Sequence, residues 1–156
     1  MREYTIGLVP GPVSVPREIR ESWLTNFGST ELESEFFELY AENQKLLKIL
    51  LGTKESVVIT SGEAMSILWG ALKSALKPGD KLLAVASGLF GEGFADMAKS
   101  VGVKTETVAA EYNSLPDPHK VREAALRFRP KVITAVHCET PSGTLTPLKV
   151  LGEIAS

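Results

Sequence analysis

The sequence predicts an α/β fold in which a mainly parallel β-sheet is covered by helices. From residue 56 onward, short apolar runs alternate with segments of helical periodicity, and short turns join them. The apolar runs are continuous rather than alternating, which is typical of strands that are buried on both faces of a sheet. The 156 residues, of which 44% are hydrophobic and 23% charged, suffice for one domain with its own core.

The first thirty residues predict an irregular arm and a first helix. Three prolines within residues 1–16 exclude a helix or a central strand in this arm. A helix is expected from Pro16 to about Phe27, because proline is favoured at the first helical position, and Gly28 should end it.

Apolar residues at helical spacing predict a second, longer helix that extends to about Leu50. Its expected N-cap is Ser29 or Thr30, and Glu33 stands three residues after Thr30, as a capping box requires. Gly52 suits the left-handed position that follows a helix C-terminus.

The alternating part of the chain predicts four strands and four helices. The expected strands are residues 57–59, 81–86, 103–108 and 131–136, and the expected helices are residues 62–76, 90–101, 116–128 and 147–156. Ligands of parallel α/β sheets bind at the carboxyl ends of the strands. The candidate site is therefore expected in the loops that follow residues 59, 86 and 136.

Composition and charge exclude several classes of protein. The 17 basic and 19 acidic residues give a net charge of −2 without a block of like charge, so a mainly electrostatic binder of nucleic acid or membranes is not expected. No apolar run reaches the length of a membrane span, and the N-terminus lacks the apolar core of a signal peptide. One cysteine and two histidines predict neither an internal disulfide nor a metal site. A cytoplasmic location is expected, while a peroxisomal or mitochondrial one stays open.

The first of the three loops contains Ser61, Gly62 and Glu63. Free backbone N–H groups at a helix start, a glycine that permits close approach and a serine hydroxyl together favour a phosphate-binding loop. The spacings of the Walker A and dinucleotide fingerprints are both missing. A plain helix start capped by Ser61 is the alternative interpretation.

The second loop, residues 87–93, contains three glycines and the aromatic ring of Phe90. The glycines leave room for a flat ligand, on which Phe90 can stack. The alternative is a flexible loop with Phe90 in the core.

The third loop offers the hydroxyl groups of Thr140 and Ser142 and the carboxylate of Glu139. A nucleophilic pair of His137 and Cys138 is not expected, because adjacent strand residues point to opposite faces. Cys138 is instead expected to be a small buried side chain. Together, the three loops suit a phosphorylated aromatic cofactor.

These loops and two further motifs resemble the N-terminal half of the class V aminotransferases, which have pyridoxal-phosphate fold type I. Within that family, the sequence resembles the serine–pyruvate and alanine–glyoxylate aminotransferases most. The motifs that carry the resemblance are Pro10-Gly11-Pro12, Ser61-Gly62-Glu63-Ala64, Leu76-Lys77-Pro78-Gly79-Asp80, Gly88-Leu89-Phe90-Gly91 and His137-Cys138-Glu139-Thr140-Pro141-Ser142-Gly143. Each motif is weak alone, but their order and spacing are specific.

The resemblance implies roles for individual residues in binding pyridoxal 5′-phosphate. The loop of Ser61, Gly62 and Glu63 would hold the cofactor phosphate. Phe90 would stack on the pyridine ring, and the hydroxyl of Thr140 would contact the ring oxygen.

The resemblance also extends to the substrate pocket and the dimer interface. Gly11 would border the substrate pocket, and the helix from about Thr30 would lie near the interface. The chain departs from the family at Phe27-Gly28-Ser29-Thr30, where many relatives carry a histidine, and at Pro141, which replaces a commoner hydroxyl residue.

The largest departure concerns the catalytic groups. The family's Schiff-base lysine, the aspartate that pairs with the pyridine nitrogen and the arginine that binds the substrate carboxylate have no counterpart in this sequence, so no catalytic residue is assigned. The chain alone is therefore expected not to transaminate. We expect an arm and first helix in residues 1–30 and a partial cofactor-binding large domain, incomplete at its C-terminus, in residues 31–156.

The preferred hypothesis is a fragment or half of an aminotransferase that moves an amino group from serine or alanine to pyruvate or glyoxylate. It would act as a homodimer or with a second chain that carries the C-terminal half. A 2-aminoethylphosphonate transaminase or another class V member stays open. A second hypothesis is a non-catalytic truncated half-domain with a bare apolar sheet edge. A third is a flavodoxin-like or nucleotide-binding domain, which the missing phosphate fingerprints disfavour.

Overall fold

A computed structural model describes residues 10–156 of the chain, which form two compact units. One unit is Ser14–Gly62, and the other comprises Glu63–Ser156 together with residues 10–13. Residues 1–9 of the predicted irregular arm lie outside the described residues. The expected domain boundary after residue 30 stays a prediction.

The N-terminal helix, α1 (Arg17–Ser22), is shorter than the sequence predicts. Instead of continuing to Phe27, the chain turns where Asn26 Oδ1 accepts the N–H of Gly28 at 2.9 Å. The ring of Phe27 then packs edge-on against Phe36, with ring centroids 5.4 Å apart. The asparagine side chain thus competes with the helix for backbone groups.

The second helix, α2 (Ser34–Leu51), begins later than predicted. Neither Ser29 nor Thr30 caps it, because a preceding turn bonds the N–H of Glu33 to the carbonyl of Ser29 at 3.2 Å. The Glu33 carboxylate accepts the N–H of Ser29 at 3.1 Å, which closes this turn. Gly52 adopts a φ of 61° after the last turn, as predicted.

The prediction of a strand at Val57-Val58-Ile59 is wrong. The backbone of this run bonds to side chains of α2 rather than to a neighbouring strand. Gln44 Nε2 donates to the carbonyl of Val57 at 2.6 Å, and the Tyr40 hydroxyl donates to the carbonyl of Ile59 at 2.9 Å and accepts its N–H at 3.1 Å. The backbone groups are therefore satisfied without a sheet.

The unit that contains Glu63–Ser156 is built around a three-stranded parallel sheet. Its strands are β1 (Lys81–Ala86), β2 (Lys104–Ala109) and β3 (Val132–Ala135), in the order β2-β1-β3. Its helices are α3 (Ala64–Ala75), α4 (Leu89–Ser100), α5 (Pro118–Phe128) and α6 (Leu148–Ala155). These seven elements confirm the predicted ones to within two residues at each end. A short hairpin, β4 (Cys138–Glu139) and β5 (Thr144–Leu145), was not predicted.

Helices cover both faces of this sheet and bury its central strand. In β1, every residue from Leu82 to Ala86 is buried, which confirms the inference from its continuous apolar run. On one face, Leu82 packs with residues of α3 and α4, and on the other, Leu83 packs with Val121 of α5 and Leu151 of α6. The structure is thus an α/β fold with a parallel sheet between two helical layers.

The turn between α3 and β1 is closed by Asp80. One of its carboxylate oxygens accepts a hydrogen bond from the N–H of Lys77 at 3.0 Å and another from Lys131 Nζ at 2.8 Å. The hydrogen bond from Lys131, and then the one from the Lys77 backbone, hold the pKa of the Asp80 carboxyl below its ordinary value. Since Lys131 directly precedes β3, this carboxylate joins the turn to that strand.

Asp80→Asn is expected to lower the melting temperature of the chain at neutral pH but not in strong acid. A carboxyl whose folded pKa is lowered stabilises the fold above its unfolded pKa of about 3.9, and this contribution is lost as the pH falls through the lowered value. Melting followed by circular dichroism from neutral pH to about pH 2 checks this. The control Asp96→Asn removes only an exposed contact with Lys99. A constant difference between Asp80→Asn and the unmodified chain at every pH would contradict the prediction.

Candidate functional site

The start of α3 already holds an anionic group. Glu63 precedes this helix, and its Oε2 accepts the N–H of Met65 at 2.8 Å. The cap is therefore Glu63 and not Ser61, the residue of the alternative interpretation. The Glu63 side chain is exposed, and it lies at a helix start, where N–H groups and the helix dipole favour negative charge.

The other two residues of the first loop end the separate unit Ser14–Gly62. Ser61 and Gly62 are both exposed. Gly62 has a φ of 140°, a conformation that other residues rarely adopt. This backbone conformation explains the glycine, while nothing lies within 4 Å of the position that a Cβ would take. Its role in close approach to a phosphate stays a prediction.

The second loop starts α4 directly against the end of β1. A methyl group at Gly91 would lie 2.7 Å from the Cα of Ala86, so only glycine allows this approach. The neighbouring Phe90 is half-buried, and its side chain is not among those that form the two core clusters. The interpretation of Phe90 as a core residue is therefore not favoured.

The third loop is the turn of the β4–β5 hairpin. Gly143 has a φ of 69° and donates its N–H to the carbonyl of Glu139 at 2.7 Å. The Ser142 hydroxyl lies 2.7 Å from that of Thr144, so it is used inside the hairpin. Thr140, the predicted hydroxyl contact of the cofactor, is half-buried at the start of this turn.

The proline-rich arm reaches the third loop. A methyl group at Gly143 would lie 3.9 Å from the Pro10 ring, which is ordinary van der Waals contact. Gly11 follows Pro10 and is partly buried. The arm therefore lies beside the hairpin that carries Thr140, and the role of Gly11 at a substrate pocket stays a prediction.

Glu139 connects the second and third loops. Its side chain is fully buried, and its two carboxylate oxygens accept the N–H groups of Phe90 at 3.0 Å and Gly91 at 3.1 Å. The sequence offered Glu139 only as one polar group among several in its loop. The available signal was the one acidic residue in the loop that follows the predicted strand 131–136.

A second buried contact reinforces this connection. The hydroxyl of Ser87 at the end of β1 lies 3.3 Å from that of Thr146, just after β5, and both residues are buried. A cavity of about 260 Å³ opens beside these loops, and its lining includes Gly88, Tyr112 and Ser142. The carboxyl ends of β1 and β3 thus meet in one polar region, as the strand order predicts.

The expectation that Cys138 is buried is wrong. Its side chain is exposed, whereas that of the adjacent Glu139 is fully buried. The reason is the two-residue strand β4, in which successive side chains point to opposite sides. His137 is also exposed, and its carbonyl accepts the N–H of Thr146 at 2.7 Å.

Residues 10–156 contain no group of three or more His, Cys, Asp or Glu side chains placed to hold a metal ion. In the same range, none of the helices has the length and apolar character needed to cross a membrane.

Comparison with known proteins gives one consistent family. The family described as aminotransferase class-V matches residues 17–156. The chain is 31% identical to a pyridoxamine–pyruvate transaminase of Mesorhizobium japonicum, over 97% of the chain and 38% of that protein. It is 30% identical to a 2-aminoethylphosphonate–pyruvate transaminase of Vibrio vulnificus, over 98% of the chain and 42% of that protein.

A solved structure agrees with these sequence matches. The ureidoglycine–glyoxylate aminotransferase of Bacillus subtilis is 26% identical to the chain and superimposes with a TM-score of 0.86, over 98% of the chain and 41% of that protein. The chain therefore spans about 40% of the length of the relatives it matches.

Proposed function

Because the chain belongs to the class V aminotransferase family, we propose that it is the cofactor-binding N-terminal portion of a pyridoxal-phosphate-dependent transaminase. Members of this family depend on pyridoxal phosphate. When bound, the cofactor supplies an aldehyde for the substrate amine and a ring that withdraws electrons from it. The role of this chain is to bind and orient that group.

One observation carries the proposal. Glu139 bonds to the N–H of Phe90 and directly precedes Thr140, so the predicted stacking residue and the predicted hydroxyl residue are anchored to the same side chain. Both residues lie beyond the carboxyl ends of neighbouring parallel strands, where ligands of such sheets bind. The pairing of β1 with β3 produces this arrangement.

The start of α3 supports a binding site for the cofactor phosphate. It holds a carboxylate oxygen of Glu63 on the N–H of Met65, so an anion fits there. In the proposed complex, the phosphate replaces this carboxylate. The proposed roles of the Ser61 hydroxyl and the Gly62 backbone rest on the sequence motif Ser61-Gly62-Glu63-Ala64. Phe90 covers one face of the ring, and Thr140 donates or accepts a hydrogen bond at its edge.

The proposed reaction moves an amino group from a small amino acid, serine or alanine, to pyruvate or glyoxylate. The relatives support a small 2-oxo acid as acceptor, since their names specify pyruvate or glyoxylate. Their donors differ, and one of them is 2-aminoethylphosphonate, so a 2-aminoethylphosphonate transaminase is the second candidate. Gly11 in the proline-rich arm would border the substrate pocket.

The proposed assembly is a homodimer or a complex with a chain that carries the C-terminal half. The unit Ser14–Gly62 supports an assembly, because α2 buries none of its residues and exposes Phe37, Ile49 and Leu50. Native mass spectrometry of the purified protein distinguishes these states from the alternative of a non-catalytic half-domain. A second chain and a bound cofactor at fixed stoichiometry support a working transaminase, and a lone chain without cofactor supports the half-domain.

Phe90→Ala is expected to weaken the binding of pyridoxine 5′-phosphate by about 2- to 10-fold, since aromatic stacking contributes about 0.5–1.5 kcal/mol beyond burial. This probe has the cofactor's ring and phosphate but no aldehyde, so it does not react with surface lysines. Isothermal titration calorimetry measures its affinity. Leu126→Ala is the control, because Leu126 is 72% exposed and lies in the last turn of α5, which leads to the start of β3 at the opposite edge of the sheet. Equal affinities of Phe90→Ala and the control would remove Phe90 from the site.

A further inference from the structure

Glu139 is the one charged side chain that is buried among the described residues 10–156. Burying a carboxylate is costly unless hydrogen bonds compensate for the lost water. Here the compensation comes from two consecutive N–H groups, those of Phe90 and Gly91. Both belong to the first turn of α4, whose N–H groups have no partner within the helix.

The surrounding backbone is fitted closely to this carboxylate. A methyl group at Gly88 would lie 2.6 Å from Glu139 Cγ, so the glycine at the start of α4 leaves the space that the side chain fills. The negative charge also lies at the positive end of the helix dipole. The third loop thereby fixes the position and direction of the first turn of α4.

We propose that Glu139 is a positioning residue that holds the ring of Phe90 in the orientation needed to stack on the cofactor. This inference rests on the proposed function, which places Phe90 against the pyridine ring. Each of the two N–H groups is accepted by its own oxygen of the Glu139 carboxylate. A glutamine provides one oxygen and turns an NH₂ group toward the second N–H, so it cannot replace the glutamate.

Glu139 also distinguishes the two helix starts of this unit as binding sites for an anion. At the start of α3 a backbone N–H donates a hydrogen bond to Glu63, and at the start of α4 one donates to Glu139. The carboxylate of Glu63 is exposed and can be displaced, whereas that of Glu139 is buried and cannot leave without opening the loop. The phosphate is therefore directed to α3, and α4 is left to present Phe90.

The first test compares amide hydrogen exchange in Glu139→Gln and in the unmodified chain. We expect exchange at Phe90 and Gly91 to become about 10- to 100-fold faster, as the loss of charge-assisted hydrogen bonds predicts. Glu92→Gln is the matched control, because it removes the same charge from an exposed side chain in the first turn of α4. Unchanged exchange in Glu139→Gln would overturn the proposal.

The second test uses pyridoxine 5′-phosphate and measures the chemical shift of its ring proton, which a residue with a merely structural role would not change. At saturating ligand, the ring of Phe90 should shift the nuclear magnetic resonance signal of the ligand ring proton, and this shift should shrink in Glu139→Gln while the Met65 amide still responds to the phosphate. An equal ring-proton shift in both proteins would overturn the proposal even if their stabilities differ.

A second variant keeps the inference testable if Glu139→Gln does not fold. Gly88→Ala leaves the carboxylate intact but places a methyl group against Glu139 Cγ, so it should also speed exchange at Phe90 and Gly91. If the unmodified chain binds no pyridoxine 5′-phosphate, the proposed function fails, and the exchange data alone decide whether Glu139 positions α4.

Discussion

Replacing Gly91 with alanine is expected to lower the free energy of unfolding by about 1–3 kcal/mol, the usual range for an overpacked position. The added methyl group would lie 2.7 Å from the Cα and 3.0 Å from the Cβ of Ala86. Ala86 is the last residue of the buried central strand, so it cannot move without moving β1. Helix α4 must therefore shift away from the sheet.

Gly93→Ala is the matched control for Gly91→Ala in the same helix. Its methyl group would meet the end of the Met65 side chain at 3.3 Å, and that flexible chain can rotate aside. Alanine also favours the helix by about 0.5–1 kcal/mol relative to glycine. In urea unfolding, we expect Gly93→Ala to leave the free energy of unfolding unchanged or to raise it. Equal destabilisation by Gly91→Ala and Gly93→Ala would contradict the close contact of α4 with β1.

The effect of Gly91→Ala should extend to the candidate site. The N–H of Gly91 is one of the two that Glu139 accepts, so a shift of α4 also loosens the second loop. We therefore expect faster amide exchange at Phe90 in this variant, together with the lower stability. If the Phe90 amide of Gly91→Ala exchanges as slowly as in the unmodified chain, the packing of α4 against β1 does not determine the geometry of the site.

The elements of the sheet could be predicted from the sequence because their signals are local. The run from Lys81 to Ala86 is apolar throughout, and it forms the buried central strand with the predicted ends. The run Val57-Val58-Ile59 has the same character but forms no strand, since its backbone bonds go to Tyr40 and Gln44. An apolar pattern alone does not predict whether a neighbouring strand is available for pairing.

The connections of the site could not be predicted in the same way. Glu139 bonds to backbone groups 48 and 49 residues earlier, and no local pattern encodes such a contact. In the two-residue strand β4, the side chain of Cys138 is exposed, although its residue type predicts burial. The positions of the second and third loops followed from strand order, whereas the first loop follows no strand. The side chains that join the second and third loops required the structure.

Removing the phosphate from the probe is the second change with a large expected effect. A phosphate at the start of α3 would form hydrogen bonds to backbone N–H groups, and a charge-assisted bond contributes about 1.5–3 kcal/mol. Pyridoxine lacks this group but keeps the ring that Phe90 would cover. We therefore expect pyridoxine to bind about 100-fold more weakly than pyridoxine 5′-phosphate.

The most direct test is a ¹H–¹⁵N titration of the chain with pyridoxine 5′-phosphate, repeated with pyridoxine. We expect saturable shifts of the amide signals of Ser61, Met65, Phe90 and Thr140 with the phosphorylated probe, and much smaller shifts with pyridoxine at the same concentrations. Saturable shifts confined to other residues, or equal binding of the two probes, would contradict a pyridoxal-phosphate site at this edge of the sheet.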